Sequence, residues 1–306
     1  MLSMELPITS PLRVQCARLL PIEECERRMG MEQCDLEAVK AIELEMLDEF
    51  LRLAKKHDIE YFLTAGTCLG AIRHSGFIPW DDDIDIGMSR SEYERFALIA
   101  QSELNDRFVY QTMDTEPGCG FVFGKIRAKD TILSENCSYH LPMSQGVWLD
   151  IFPFDEIPDD LGKQRALYRR VGFLRNLYIV KCGYRIPEGR GPLFSIMYYG
   201  AKCVAAFVPR HKLIARLKSA MTSYKGETTK NLYNYGTAYP AGKELIPRRV
   251  LFECAESRFE GRSCRVPGDA DAFLSSLYGD YMTLPPKEKR VGGMHHIHEF
   301  ADHRNR

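Results

Sequence analysis

The sequence has no strong charge of either sign, no paired-cysteine motif, no secretory-signal pattern in its first ten residues and no long apolar run, and each absence bears on a class of function. With 41 Lys and Arg against 42 Asp and Glu in 306 residues, the formal net charge is -1. The chain therefore lacks the overall basic field that holds polymeric nucleic acid, and no nucleic acid polymer is expected as a partner. The ten cysteines run from Cys16 to Cys264 without a C-x-x-C pair, so neither a zinc ribbon nor a thioredoxin-like motif is present. Reduced thiols are the simplest reading. Residues 1–10 lack the basic start, apolar run and small-residue cleavage site of a secretory signal, and the expected location is cytoplasmic. No internal repeat or low-complexity segment occurs.

The most apolar stretch, residues 193–208, carries Lys202 and is bounded by Pro192 and Pro209. It falls short of the ~20 residues of a transmembrane helix. Three readings stay open: a buried core helix, favoured here, an interfacial helix helped by Arg210, His211 and Lys212 in peripheral contact with a membrane, and, least of all, a true span.

What is present is ordinary for a globular chain, 45% apolar and 27% charged residues, at a length that allows one large domain or two packed ones. An N-terminal extension (1–34) shows no sustained period. Within the α/β core (35–158), Leu36, Val39, Ile42, Met46, Leu47, Phe50 and Ala54 recur at three- and four-residue spacings and predict an amphipathic helix. Residues 59–63 read as a strand, residues 66–73 as a turn opening a short helix, and residues 83–86 as a strand. Ser89 and Glu92 form a capping-box pattern. Strands are also expected over 108–111, 121–127 and 147–152. From residue 159 to 306 a mainly helical region is expected, with helices over 165–180, 213–221 and 269–278, Gly279 as a stop and a His-rich tail.

The chemistry-bearing feature is Asp81, Asp82, Asp83 and Asp85, four carboxylates within five residues framed by Trp80, Ile84 and Ile86. A solvated acidic run is rarely framed by such residues. On a strand, Asp83 and Asp85 share one face about 7 Å apart, which is unfavourable without a positive counterpart. Mg²⁺ or Mn²⁺, completed by donor phosphates, is the economical partner. An EF-hand spacing is also present, but its sixth position is Ile86 instead of Gly, and Pro79 cannot end an entering helix. Asp150 interrupts the apolar run of residues 147–152 and offers a third carboxylate, as a metal ligand or as a base, with an ordinary hydrogen-bonded edge residue as the alternative.

Gly66 and Thr67, ahead of a short helix, can offer N–H groups and a hydroxyl to a phosphate. Arg73, Lys125 and Arg127 are the cations expected near donor phosphates, unless they are plain surface charges. The tail adds Lys289, Arg290, His295 and His296 as cleft contacts, against the alternatives of a free tail or a zinc site.

Residues 63–87, from Leu63-Thr64-Ala65-Gly66-Thr67 through Trp80-Asp81-Asp82-Asp83-Ile84-Asp85-Ile86-Gly87, resemble the signature of the LicD family. Residues 150–155 and 278–286 are similar to the same family. The resemblance implies a nucleotidyltransferase-like fold and a metal-dependent transfer of phosphocholine or a related polyol phosphate from a CDP-linked alcohol to a glycan or lipid-linked glycan, as in modification of lipopolysaccharide or teichoic acid. It also implies that Asp83 and Asp85 are the metal-binding pair, Asp81 an accessory acid and Asp150 the third carboxylate. Cys68 stands where many relatives carry a larger apolar residue. The alternatives are a nucleotide-sugar glycosyltransferase with an Asp-x-Asp metal motif and an inactive binding protein on the same fold.

Overall fold

The periodic residues Val39, Ile42, Met46, Leu47 and Phe50 are buried and form the inner face of α1 (Ile22–Lys56). The computed structural model describes residues 22–185, 191–237, 239, 242–290 and 297–303. Helix α1 reaches back to Ile22, into the expected extension, because residues 22–34 are rich in the helix formers Glu, Arg and Met even without an apolar period.

The chain then gives β1 (Phe62–Leu63), α2 (Ala65–His74), β2 (Asp85–Ser89) and α3 (Arg90–Glu103). Ser89 caps α3 by accepting the Glu92 N–H at 3.3 Å, which is the serine half of the capping box; the Glu92 carboxylate accepts from Arg95 and from the Glu60 N–H. Strands β3 (Phe108–Gln111), β4 (Gly124–Ala128), β5 (Thr131–Glu135) and β6 (Trp148–Ile157) follow. The main sheet runs β1-β2-β6-β4-β3. Strands β2 and β6 are parallel, and the other pairs in that order are antiparallel.

Strand β6 is the hinge of the architecture. Its first half lies between β2 and β4, and its last residues, Asp155 to Ile157, pair with a strand from the second half of the chain. Between these stand three helices, α4 (Leu161–Cys182), α5 (Pro192–Phe207) and α6 (Arg210–Met221). After Met221 the chain returns to short strands. Strands β7 (Asn231–Tyr233) and β8 (Leu245–Pro247) extend the main sheet, so the two regions expected from the sequence share one sheet.

Helix α7 (Arg248–Leu251) precedes a hairpin of β9 (Ala255–Phe259) and β10 (Arg262–Val266). The two residues of its turn, Glu260 and Gly261, both have positive φ, the geometry that matches strand twist in a two-residue hairpin. Helix α8 (Ala270–Tyr278) is capped by Asp269 and followed by a 3-10 turn, Lys287–Lys289. Strand β11 (Ile297–Asp302) closes on β5.

One apolar core joins α1, α2, α3 and α8 to the main sheet. A second joins α4 and α6 to Phe123, Ile157 and Tyr233. Helix α5 corrects the reading of residues 193–208 as a buried core helix. Leu193, Ile196, Tyr199, Val204 and Phe207 are 54% to 89% exposed, because α5 packs by its Ala205 side and leaves the rest outside. Among the described residues no helix is long and apolar enough to cross a membrane.

Candidate active site

The register of three strands assembles the centre of the site. Parallel pairing sets Asp85 of β2 opposite Asp150 of β6, and antiparallel pairing sets Lys125 of β4 opposite the same Asp150. Partners in register point to one face about 5 Å apart, so Asp85, Asp150 and Lys125 form a row. Lys125 Nζ lies 2.7 Å from Asp150 Oδ1 and donates to Oδ2 at 3.0 Å. The Asp150 N–H donates to Ile84 O at 2.9 Å. On the opposite face Ile84, Ile86, Leu149 and Ile151 are buried, so the core side of both strands fixes which way the carboxylates project.

Helix α2 is stitched to the start of β2. The Thr64 N–H donates to Asp85 O at 3.0 Å, and the Asp85 N–H donates to Thr67 Oγ1 at 2.8 Å. Thr64 makes no side-chain cap, and α2 has no acid in its first turn. Asp81 stands there instead: a Cβ on Gly66 would come within 2.6 Å of Asp81 Oδ2. A side chain at this position would push the carboxylate away from the helix start, where the helix dipole favours the anion.

Further carboxylates converge on this row. Oxygens of Asp81, Asp82 and Asp83 lie within 4.8 Å of one another. Behind them Glu43 of α1 is 1% exposed, and neither of its oxygens has a hydrogen-bond partner. Burial raises its pKa well above the usual carboxylate range, and the charges of Asp83, Asp82, Asp81 and Asp85 raise it further. Glu244, ahead of β8, is buried with an unpartnered Oε2. Burial pushes it up to about 7 against the hydrogen bonds of Thr237 and Asn234.

The same cause acts on the aspartates. Asp83 and Asp85 are raised well above their usual range by burial and then by each other's neighbours, Asp85 and Asp150 first. Asp81 is pushed up to about 7 by burial and Asp82, with Lys40 opposing. Asp150 is raised by burial even with Lys125 beside it. Lys40 and Lys125 together do not neutralise this many carboxyls. The donor set is oxygen only, clustered and short of positive charge, which fits a hard divalent cation such as Mg²⁺ or Mn²⁺.

The remaining expected residues divide. Arg290 stacks 5.5 Å over Trp80, next to the aspartates, and donates to Pro285 O at 2.8 Å. Arg73 donates to Tyr281 O, and its pKa is lowered by burial and by Arg290 nearby. These two guanidiniums therefore converge beside the acidic loop. Lys125 is the counter-ion of Asp150. Arg127 is corrected: it is 1% exposed and donates to Gln111 Oε1 and Gly146 O, both at 2.7 Å, so it braces the sheet and has no open path to a phosphate. Thr67 is corrected likewise, since it is buried and its hydroxyl serves the Asp85 N–H. Lys289 lies in the 3-10 turn, and His295 and His296 lie outside the described residues.

Sequence reasoning missed Glu43, Glu244 and a tyrosine pair. Tyr239 and Tyr278 join their hydroxyls at 2.6 Å, and both are near enough to Asp85 for its charge to raise their pKa, after burial. Glu43 left a trace: it lies four residues after Val39 and three before Met46, inside the apolar stripe of α1, where an acid is out of place. Tyr278 left one as well, since it opens the family-like segment 278–286; Glu244 and Tyr239 left none.

Residues 58–176 match the family described as LicD/FKTN/FKRP, nucleotidyltransferase domain, a range that holds α2, the aspartates, Lys125 and Asp150. Over 282 residues, covering 88% of this chain and 98% of the relative, the sequence is 29% identical to the lipopolysaccharide cholinephosphotransferase LicD of Haemophilus influenzae. Shorter segments match two uncharacterized proteins, one of Rickettsia typhi at 41% identity over 61 residues, 20% of each chain, and one of Rickettsia prowazekii at 43% over 66 residues, 21% of this chain and 25% of that one. The chain carries a LicD family domain, with the acidic row at its centre, and its likeness to a named transferase extends through most of its length.

Proposed function

We propose that this protein is a divalent-metal-dependent transferase that moves phosphocholine, or a related polyol phosphate, from a CDP-linked donor to a hydroxyl of a glycan such as lipopolysaccharide. The observation that carries the reading is the in-register pair Asp85 and Asp150, with Asp83 and the unpartnered Glu43 beside it, on a LicD family domain.

Asp83, Asp85 and Asp150 would hold Mg²⁺ or Mn²⁺, which supplies charge neutralisation for the donor's phosphates and for the leaving group. Lys125 holds the Asp150 carboxylate in place. Arg73 and Arg290 grip the donor's phosphate oxygens from the rim of the acidic loop, where guanidinium forks suit phosphate geometry. The acceptor oxygen bonds to the phosphorus carrying the alcohol as the bond to the nucleoside monophosphate breaks. The acceptor's proton must go to a base; Glu244, held near neutrality and outside the aspartate loop, is suited to take it.

Release of CMP from CDP-choline, measured with CDP-, UDP- and GDP-linked donors in parallel, tests the reading. We expect turnover with CDP-linked alcohols and a ³¹P phosphodiester signal in the product, abolished by EDTA and restored by Mg²⁺ or Mn²⁺. Release of a nucleoside diphosphate from a nucleotide sugar would point to a glycosyltransferase, and turnover surviving exhaustive chelation would remove the metal from the site.

A further inference from the structure

Helices α4, α5 and α6 carry eleven Lys and Arg and not one Asp or Glu, although the chain as a whole is at -1. Several of these bases, among them Arg165, Arg169, Arg170, Lys202, Lys212 and Arg216, are exposed. The unit is a cationic patch on a nearly neutral protein. Such a patch attracts an anionic surface and repels its own kind.

Helix α5 gives the patch an apolar face. Ile196, Gly200, Cys203 and Phe207, with Leu193 and Val204 beside them, follow the three- and four-residue spacing that places them on one side. All six are exposed, Phe207 by 89%. Lys202, also exposed, lies between that face and the side of Ala205. The opposite side is anchored: Ala205 is buried, Tyr198 donates its hydroxyl to Tyr184 O, and Lys181 of α4 donates to Ala205 O at 2.8 Å. A contiguous apolar face held rigidly outward and bordered by bases marks an interaction surface.

We propose that α5 lies in the plane of an anionic lipid bilayer surface, its apolar face among the acyl chains and the bases of α4 and α6 against the headgroups. Its length decides between lying and spanning. At 16 residues and ~1.5 Å per residue, α5 measures roughly 24 Å, short of a ~30 Å hydrocarbon core, and Lys202 would be left inside. Charge decides between a bilayer and a second copy of the chain, because pairing two such patches face to face sets like charges against one another. The inference is independent of the transferase reading, since it concerns only where the protein rests.

The test is co-sedimentation of the full chain with vesicles of phosphatidylcholine alone or of phosphatidylcholine with phosphatidylglycerol. We expect pelleting with the anionic vesicles that weakens as salt is raised, and little with the neutral ones. Ile196→Asp with Phe207→Asp should reduce partitioning at least about tenfold, and Lys202→Glu with Lys212→Glu at least about fivefold. Because these side chains are exposed, melting temperature should stay at the parent's value in both variants, separating lost docking from lost folding. Absence of pelleting with anionic vesicles overturns the proposal. So does a concentration-dependent dimer in sedimentation velocity that the two Asp substitutions abolish, since α5 would then cover a second copy.

Discussion

Among single residues, burial separates cations that sequence position makes look alike. Lys125 and Arg127 are two apart on β4 and share a face, yet Lys125 reaches Asp150 while Arg127 is enclosed by Gln111, Gly146 and the Trp148 ring. Arg127→Met should therefore cost about 2–4 kcal/mol in urea unfolding, because it strands the Gln111 and Gly146 acceptors in a buried site. Affinity of the folded fraction for CMP, read by calorimetry, should be unchanged. Arg73→Met should do the reverse, weakening CMP binding about tenfold with little change in the unfolding midpoint. Loss of CMP binding in the Arg127 variant at unchanged stability would return that residue to the phosphates. The aspartates were legible because acids framed by Trp80, Ile84 and Ile86 have no bland explanation. The fate of Arg127 was not, because it depends on side chains brought in by β3 and β6.

At the scale of elements, the stitch between α2 and β2 matters more than either element alone. Strand β1 has only two residues, so the tie that aligns the start of α2 with Asp85 is the pair of bonds from Thr64 and to Thr67. Thr67→Val keeps the volume but removes the acceptor for the buried Asp85 N–H, at a cost of about 1–3 kcal/mol. Thr67→Ser should recover most of it, with the two read side by side in thermal melts. A valine variant as stable as the parent would mean that Asp85 is held by its sheet pairing alone. Elements with a cap or a long period were readable: α3 from Ser89 and Glu92, α8 from Asp269 and Gly279, α1 from its stripe. Strand β5 and the strands after Met221 were not, because most run only three to five residues, and β5 and β11 find each other across a long stretch of sequence. The residues of α5 are apolar on nearly every side, so periodicity alone could not tell a buried helix from one that presents its face outward.

Over the whole molecule, the gathered carboxyls couple stability to pH in a direction opposite to that of most acidic residues. A carboxyl whose folded pKa is raised binds more protons folded than unfolded between its two pKa values, so its contribution is complete below the unfolded value and is lost as pH climbs through the folded one. Glu244, moved by burial from 4.5 to about 7, alone accounts for roughly 3 kcal/mol across that window. Asp81, moved to about 7, and Glu43, Asp83 and Asp85, raised further, act in the same sense. Carboxyls with lowered pKa, Glu49 and Glu103, change stability only below the ordinary carboxylate range and do not enter. His74, lowered by burial, works the other way but is one partly exposed group against five. In EDTA, the melting temperature at pH 5.5 should therefore exceed that at pH 8 by about 5 °C or more. Mg²⁺ should raise the pH 8 value and flatten the slope, because a cation replaces the protons as counter-charge. Glu43→Gln and Asp85→Asn should each shrink the EDTA slope by removing one repelling carboxyl while nearly keeping its shape. A metal-free protein that loses stability on acidification from pH 8 to 5.5 would show that these groups ionise singly and unstrained, and the cluster would then have no need of a cation.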